Sequence, residues 1–131
     1  MQLEKLVEKN FSVIHPEMNL GKLVKVVANS KRNIFPVVND KNIFLGIINL
    51  DDIRKVMFDH SLYAQITVSD LMHEPLGIIK LYDPMEKVMA KFKDTGAWNL
   101  AVTCQGEYIG FISKSKLFNN YRRKLVEFSE E

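Results

Sequence analysis

The sequence predicts an α+β fold made of two copies of one unit, and three observations predict it. The stretch from Ile34 to Ile53 reads as strand, tight turn, strand and the start of a helix. The same order returns from Trp98 to Leu117. The apolar positions of the first half also recur in the second at one spacing, the 65 positions from Leu3 to Val68. Leu3, Leu6 and Val7 fall on Val68, Leu71 and Met72. Leu20, Leu23, Val24 and Val27 fall on Met85, Val88, Met89 and Phe92.

Each element has a local reason. Leu3, Leu6 and Val7 give Gln2 to Lys9 the spacing of a short amphipathic helix. Phe11 to Ile14 is a short extended segment, broken by His15-Pro16. Asn19 caps a helix whose apolar face is Leu20, Leu23, Val24 and Val27, and which ends near Asn29-Ser30. Ile34 to Val38 and Ile43 to Ile48 are apolar strands around the polar turn Asn39 to Asn42. Gly46 lies inside the second strand, where a missing side chain means that something comes close. Asn49-Leu50-Asp51-Asp52 then opens a helix running to about Phe58, with Ile53, Val56 and Met57 inward.

The second copy repeats this after a polar connection from Asp59 to Thr67. The expected boundaries are 1–59, 60–67 and 68–131. Ile78-Ile79 falls on Val13-Ile14. Asp83 caps the next helix, Pro84 suits its first turn, and Glu86 completes a box-like start. Leu100-Ala101-Val102 falls on Phe35-Pro36-Val37. After one deletion in the turn, Gly110 falls on Gly46 at a spacing of 64. The last helix starts near Lys114 and continues through Leu125, with an apolar stripe of Phe118, Tyr121, Leu125 and Phe128. The tail Ser129-Glu130-Glu131 is expected to fray. Two copies are too few for a solenoid, so the expectation is a pair related by a pseudo-twofold axis, sheet packed to sheet.

Composition excludes several classes. The chain has 131 residues, 47% hydrophobic and 26% charged, ordinary values for a globular protein. Lys plus Arg is 18 and Asp plus Glu is 16, a balance that gives no argument for nucleic acid or an acidic membrane surface. Cys104 is the single cysteine, so an intrachain disulfide is impossible. No apolar run approaches the roughly 20 residues needed to span a bilayer, and there is no signal-peptide pattern. His15, His60 and His73 lack metal-motif spacing, and no Gly-rich phosphate loop implies nucleotide hydrolysis. No residue constellation supports an enzyme. Arg122-Arg123-Lys124 reads as a solvated helix face and Cys104 as a partly buried thiol.

The doubled unit resembles a tandem pair of CBS (cystathionine-β-synthase-type) domains. The residues behind this are Gly46-Ile47-Ile48-Asn49-Leu50-Asp51-Asp52, Gly110-Phe111-Ile112-Ser113-Lys114-Ser115-Lys116, and the lead-in Val68-Ser69-Asp70-Leu71-Met72. The resemblance covers residues 3 to about 120. It implies a cytoplasmic regulatory module rather than an enzyme, homodimeric, with adenine nucleotide (ATP, ADP or AMP) as a ligand in the crevices between copies and no required cofactor. Within the family, Phe44 to Arg54 and Tyr108 to Lys116 look most like the cytosolic tail of a prokaryotic ClC-type chloride channel. An attached channel or transporter domain is the implied partner, nucleic acid is not, and Met1 then reads as added to a cut piece.

The resemblance also implies site residues. Asp52 matches the motif acid that accepts hydrogen bonds from a ribose, a task suited to a carboxylate. The alternative is that Asp52 merely sits in the first turn of its helix, with Asp51 as a further candidate. Asn49 belongs to the same motif. Ile79, Lys80, Trp98, Asn99 and Leu100 match base and phosphate contacts from the opposite copy, with Lys80 toward a phosphate and Trp98 stacked on a base. Against this, exposed lysines are common, and Trp98 in a core or dimer interface is the favoured alternative. The other crevice would use Ile14-His15 and Arg32 to Phe35. Lys116 stands where the second motif needs an acid; it has donors only and cannot accept from a ribose.

Overall fold

The computed structural model describes residues 3–129. Gln2 and Glu130-Glu131, which the helix and tail expectations touched, lie outside the described residues. Leu3–Leu6 forms a 3-10 turn rather than the longer helix expected. The reason lies in Glu8, whose N–H donates to Phe111 O (2.7 Å) and whose carbonyl accepts from Phe111 N (3.0 Å). A backbone engaged in that bridge cannot also continue a helix.

The first copy then supplies α1 (Leu20–Ala28), β1 (Ile34–Val38), β2 (Phe44–Asn49) and α2 (Leu50–Arg54). Asn19 caps α1 by accepting from Lys22 N at 2.9 Å. β1 and β2 pair antiparallel, with Phe35 opposite Ile48 and Val37 opposite Gly46. The segment from Phe11 forms no strand; only Ile14 bridges Val37, in parallel. Two prolines explain the shortness: Pro16 lacks the N–H with which its counterpart Leu81 donates to Thr103 O, and Pro36 limits the other side. Pro36 lies on that strand face without an N–H to extend the ladder. Its counterpart Ala101 keeps the N–H, and there β3 (Ile78–Lys80) pairs over three positions with β4 (Asn99–Cys104). α2 is also shorter than expected. After Arg54 the backbone turns, with Val56 N and Met57 N both donating to Ile53 O, and Tyr63 Oη donating to Met57 O at 2.5 Å.

The 60–67 stretch is more than a polar connection. It holds a 3-10 turn at His60–Leu62 capped by Asp59, and Ile66 O accepts from Leu20 N at 2.7 Å. α3 (Val68–Leu71), β3, α4 (Met85–Thr95), β4, β5 (Glu107–Ser113) and α5 (Lys114–Ser129) complete the order. β3, β4 and β5 form one sheet in that order. Pro84, not Asp83, is the residue before α4, because the Asp83 carboxylate instead accepts from Lys80 N (2.9 Å). Gly96 ends α4 at φ +68°, a conformation glycine reaches without steric cost. On α5 only Leu117 is fully buried among the described residues; Leu125 (51%) and Phe128 (77%) are exposed, so the outer stripe is uncovered within this chain.

The chain resolves into two compact units that regroup the copies. The first contains Met1–Lys9, Leu76–Cys104 and Ile109–Glu131; the second contains Asn10–Pro75 and Gln105–Tyr108. Each copy's lead-in segment therefore joins the other copy's strands. Glu8 bridges Phe111 in the first unit and His73 bridges Ile47 in the second, equivalent pairs at the repeat spacing. Leu3 and Leu6 pack with Ile79, Phe92, Leu100 and Ile112; Val68 packs with Ile14, Phe35, Ile48 and Ile53. Such burial contributes about 2 kcal/mol per side chain, so packing as well as hydrogen bonding holds each exchanged segment.

Candidate functional site

Gly46 begins the construction of the site in the second unit. A Cβ placed there would lie 2.7 Å from His73 O, so only glycine admits the lead-in backbone. Ile47 and His73 then exchange two N–H to carbonyl bonds, both 3.0 Å. This sets the His73 ring at the start of α2. The Asp52 carboxylate reaches back there, and its Oδ2 accepts from Asn49 N at 2.7 Å. The same Oδ2 lies 2.9 Å from His73 Nε2. Asp52 Oδ1 accepts no hydrogen bond from the described residues, and the side chain remains 31% exposed. Asp52 thus fills the helix-start role with Oδ2 alone, on a partly exposed side chain. Asp51 is turned to Arg54 instead, at 2.6 Å.

Asn49 and Asp52 are brought together; the remaining expected residues lie in the first unit. Ile79 and Leu100 are core side chains there and can offer a ligand only their backbone. Lys80 is exposed while its N–H serves Asp83. Trp98 is 74% exposed, which overturns core packing for it; Lys114 Nζ sits 5.4 Å from its ring centre, within cation–π range. Asn99 opens β4, exposed. Lys116 occupies the position equivalent to Asp52, its N–H donating to Ser113 Oγ at 3.1 Å. The position equivalent to His73 is Glu8, so a histidine and an acid in the second unit stand where the first unit has an acid and a lysine.

Sequence reasoning missed His73. The signal was available, because the repeat places His73 on Glu8 at a spacing of 65 and Lys116 on Asp52 at a spacing of 64. It also missed that His15, Glu17 and Asp40 bring ligand-type atoms within 4.8 Å of one another, two of them exposed acids. His15 Nδ1 meets Val38 O at 2.9 Å. In the first unit a cavity of about 350 Å³ opens between Leu3-Glu4 and the Leu81 to Met85 segment. Asp83 borders it. Burial pushes the Asp83 carboxyl up, but the Lys80 N–H and the Lys87 and Lys91 ammonium groups outweigh it and hold the group below its ordinary value. Among the described residues, no helix is long and apolar enough to cross a membrane.

The sequence model of the family described as CBS domain matches residues 3–59 and 68–123, and the chain belongs to that family. Domains of this family are generally regulatory and non-catalytic. A curated relative, homoserine O-acetyltransferase of Methanococcus vannielii, is 28% identical over 118 residues, 89% of this chain. The chain spans only 24% of that protein. Among solved structures, CBSX2 in complex with AMP aligns at TM-score 0.73 and 17% identity, covering 93% of this chain and 96% of that one. CbpB in complex with c-di-AMP aligns at TM-score 0.77 and 17% identity, covering 99% and 90%. These likenesses show the same α+β fold.

Proposed function

We propose that the chain is a non-catalytic regulatory module that binds an adenine nucleotide, with ribose hydroxyls donating to Asp52. The observation that carries this is the Asp52 carboxylate, with Oδ2 held by Asn49 N–H and His73 and Oδ1 accepting no hydrogen bond from the described residues. A ribose diol supplies donors to such an acceptor, and bonds to a charged oxygen are the stronger kind. The two structures with AMP and c-di-AMP support the ligand class. In the first unit, the exposed Lys80 ammonium suits a phosphate and the exposed Trp98 ring suits a base, with Asn99 and the backbone of Ile79 and Leu100 beside them in sequence. Thermal-shift titration with ATP, ADP and AMP tests the reading. A ligand at 100 times its Kd stabilises the fold by about 2.7 kcal/mol. Asp52→Ala should remove the shift; no shift with any of the three would leave a dimerisation module without a nucleotide.

We infer that the module sits on the cytosolic side of a membrane channel or transporter, of ClC type on the likeness of Phe44 to Arg54 and Tyr108 to Lys116. Ligand binding would favour one state of the module and so bias the attached protein. Homodimerisation fits the uncovered Leu125, Val126 and Phe128 on α5. Sedimentation of Leu125→Glu/Phe128→Glu should show monomer where the parent shows dimer; an unchanged dimer places the interface elsewhere. A second reading, the regulatory domain of an enzyme, is favoured by the match to one quarter of the Methanococcus vannielii protein. The mass of the native gene product and the domain encoded beside the repeat separate the two.

A further inference from the structure

Resting on the Asp52 reading, we propose that His73 is the positioning residue of that site and makes ligand binding depend on protonation of one imidazole. Both ring nitrogens face acceptors. Nδ1 lies 3.0 Å from Glu74 O, and Nε2 lies 2.9 Å from Asp52 Oδ2. A neutral imidazole has one N–H and can satisfy one of these; the imidazolium has two and satisfies both. The amide Nδ2 of Asn49, at 3.4 Å from Nε2, is too distant to be the main partner of that nitrogen. With the ring charged, its Nε2–H fixes Oδ2 together with Asn49 N–H, and Oδ1 is presented to the ligand. With the ring neutral, one of the two bonds is lost: with Nε2–H on Oδ2 the Glu74 carbonyl loses its donor and the Asp52 bond its positive charge, and with Nδ1–H on the carbonyl two lone pairs oppose each other at Nε2 and Oδ2. Either way the carboxylate is held less firmly than by the imidazolium.

The surroundings leave this pair as the responsive element. β2 contributes no charged side chain. On α2, Asp51 and Arg54 neutralise each other in solvent. On α3, Asp70 is engaged by Thr67 N at 2.9 Å. Glu74 follows His73 and is exposed. In the first unit the equivalent positions are Glu8 and Lys116, neither of which is a histidine. Proton control therefore belongs to the second unit alone.

The test is the affinity for adenosine, which carries no titrating phosphate, measured by calorimetry between about pH 5.5 and 8, the window in which histidine changes charge. Binding should weaken as pH rises, on the order of tenfold, the effect of one charge-assisted hydrogen bond. His73→Gln, which donates but does not titrate, should still bind and lose the pH dependence. Nitrogen NMR of the ligand-free protein should show two N–H groups on His73 at the acid end of the window. Binding that depends on Asp52 but is flat with pH, or a His73 ring with a single N–H throughout, overturns the inference. Adenosine binding that is indifferent to Asp52→Ala instead overturns the site itself.

Discussion

Gly46 and Asp83 show how single residues govern this molecule. At Gly46 a methyl group would meet the carbonyl oxygen of His73, which is backbone and cannot swing aside. Gly46→Ala should cost about 1–3 kcal/mol in chemical denaturation, the usual range for overpacking. An unchanged midpoint would mean that the lead-in strand does not approach β2 as described. Asp83 has a folded-state carboxyl below its ordinary value, held there by Lys80 N–H, Lys87 and Lys91 against the opposing effect of burial. A lowered group stabilises the fold when ionised, so its contribution is present above the unfolded value of about 3.9 and is lost as pH falls through the folded value. Asp83→Asn should therefore lower Tm at pH 7 and lose that deficit in strong acid; a deficit constant with pH would contradict it. The need for glycine at 46 was legible in the sequence, because a gap in an apolar strand has few explanations. The exposure of Trp98 was not legible, since a large aromatic fits a core or a surface equally well until its neighbours are known.

At the scale of elements, periodicity located the helices and strands, while neighbouring backbone decided their lengths. α1 matches its expected face because Asn19 and the Leu20, Leu23 stripe are local features. The 3-10 turn at Leu3–Leu6 depends on a distant partner, Phe111, which no window of sequence contains, whereas the turn after α2 is held locally, Tyr63 Oη reaching Met57 O six residues back. Asp83 was expected to cap α4 for the same local reason, but Lys80 N–H competes for its carboxylate. The difference between the single Ile14 bridge and the three-residue β3 pairing rests on two prolines, Pro36 on β1 and Pro16 on the lead-in, the latter standing where Leu81 N donates to Thr103 O at 2.8 Å. Pro36→Ala restores an N–H and should extend the first ladder by one bond, seen as slowed hydrogen exchange at residue 36. Rapid exchange there would place the limit on the lead-in side of the bridge instead. α5 presents the converse case, in which an apolar stripe was read correctly as a pattern but is uncovered in a single chain.

For the molecule as a whole, the repeat spacing was legible, and with it the α+β class and the family. The exchange of lead-in segments was not, because a spacing relates residues by position and does not say which strand each one joins. That exchange puts His73 beside Asp52, so it shapes the proposed site as much as the motif does. In the first unit both members of that pair differ, Lys116 standing at the Asp52 position and Glu8 at the His73 position. The central claim is that Asp52 makes this module a receptor for an adenine nucleotide. Isothermal titration calorimetry of AMP into the intact protein and into Asp52→Ala tests it most directly. Saturable binding to the first, weakened at least about tenfold in the second, is the result predicted from losing a charge-assisted acceptor. Equal affinity in both proteins, or no heat with either, would contradict it.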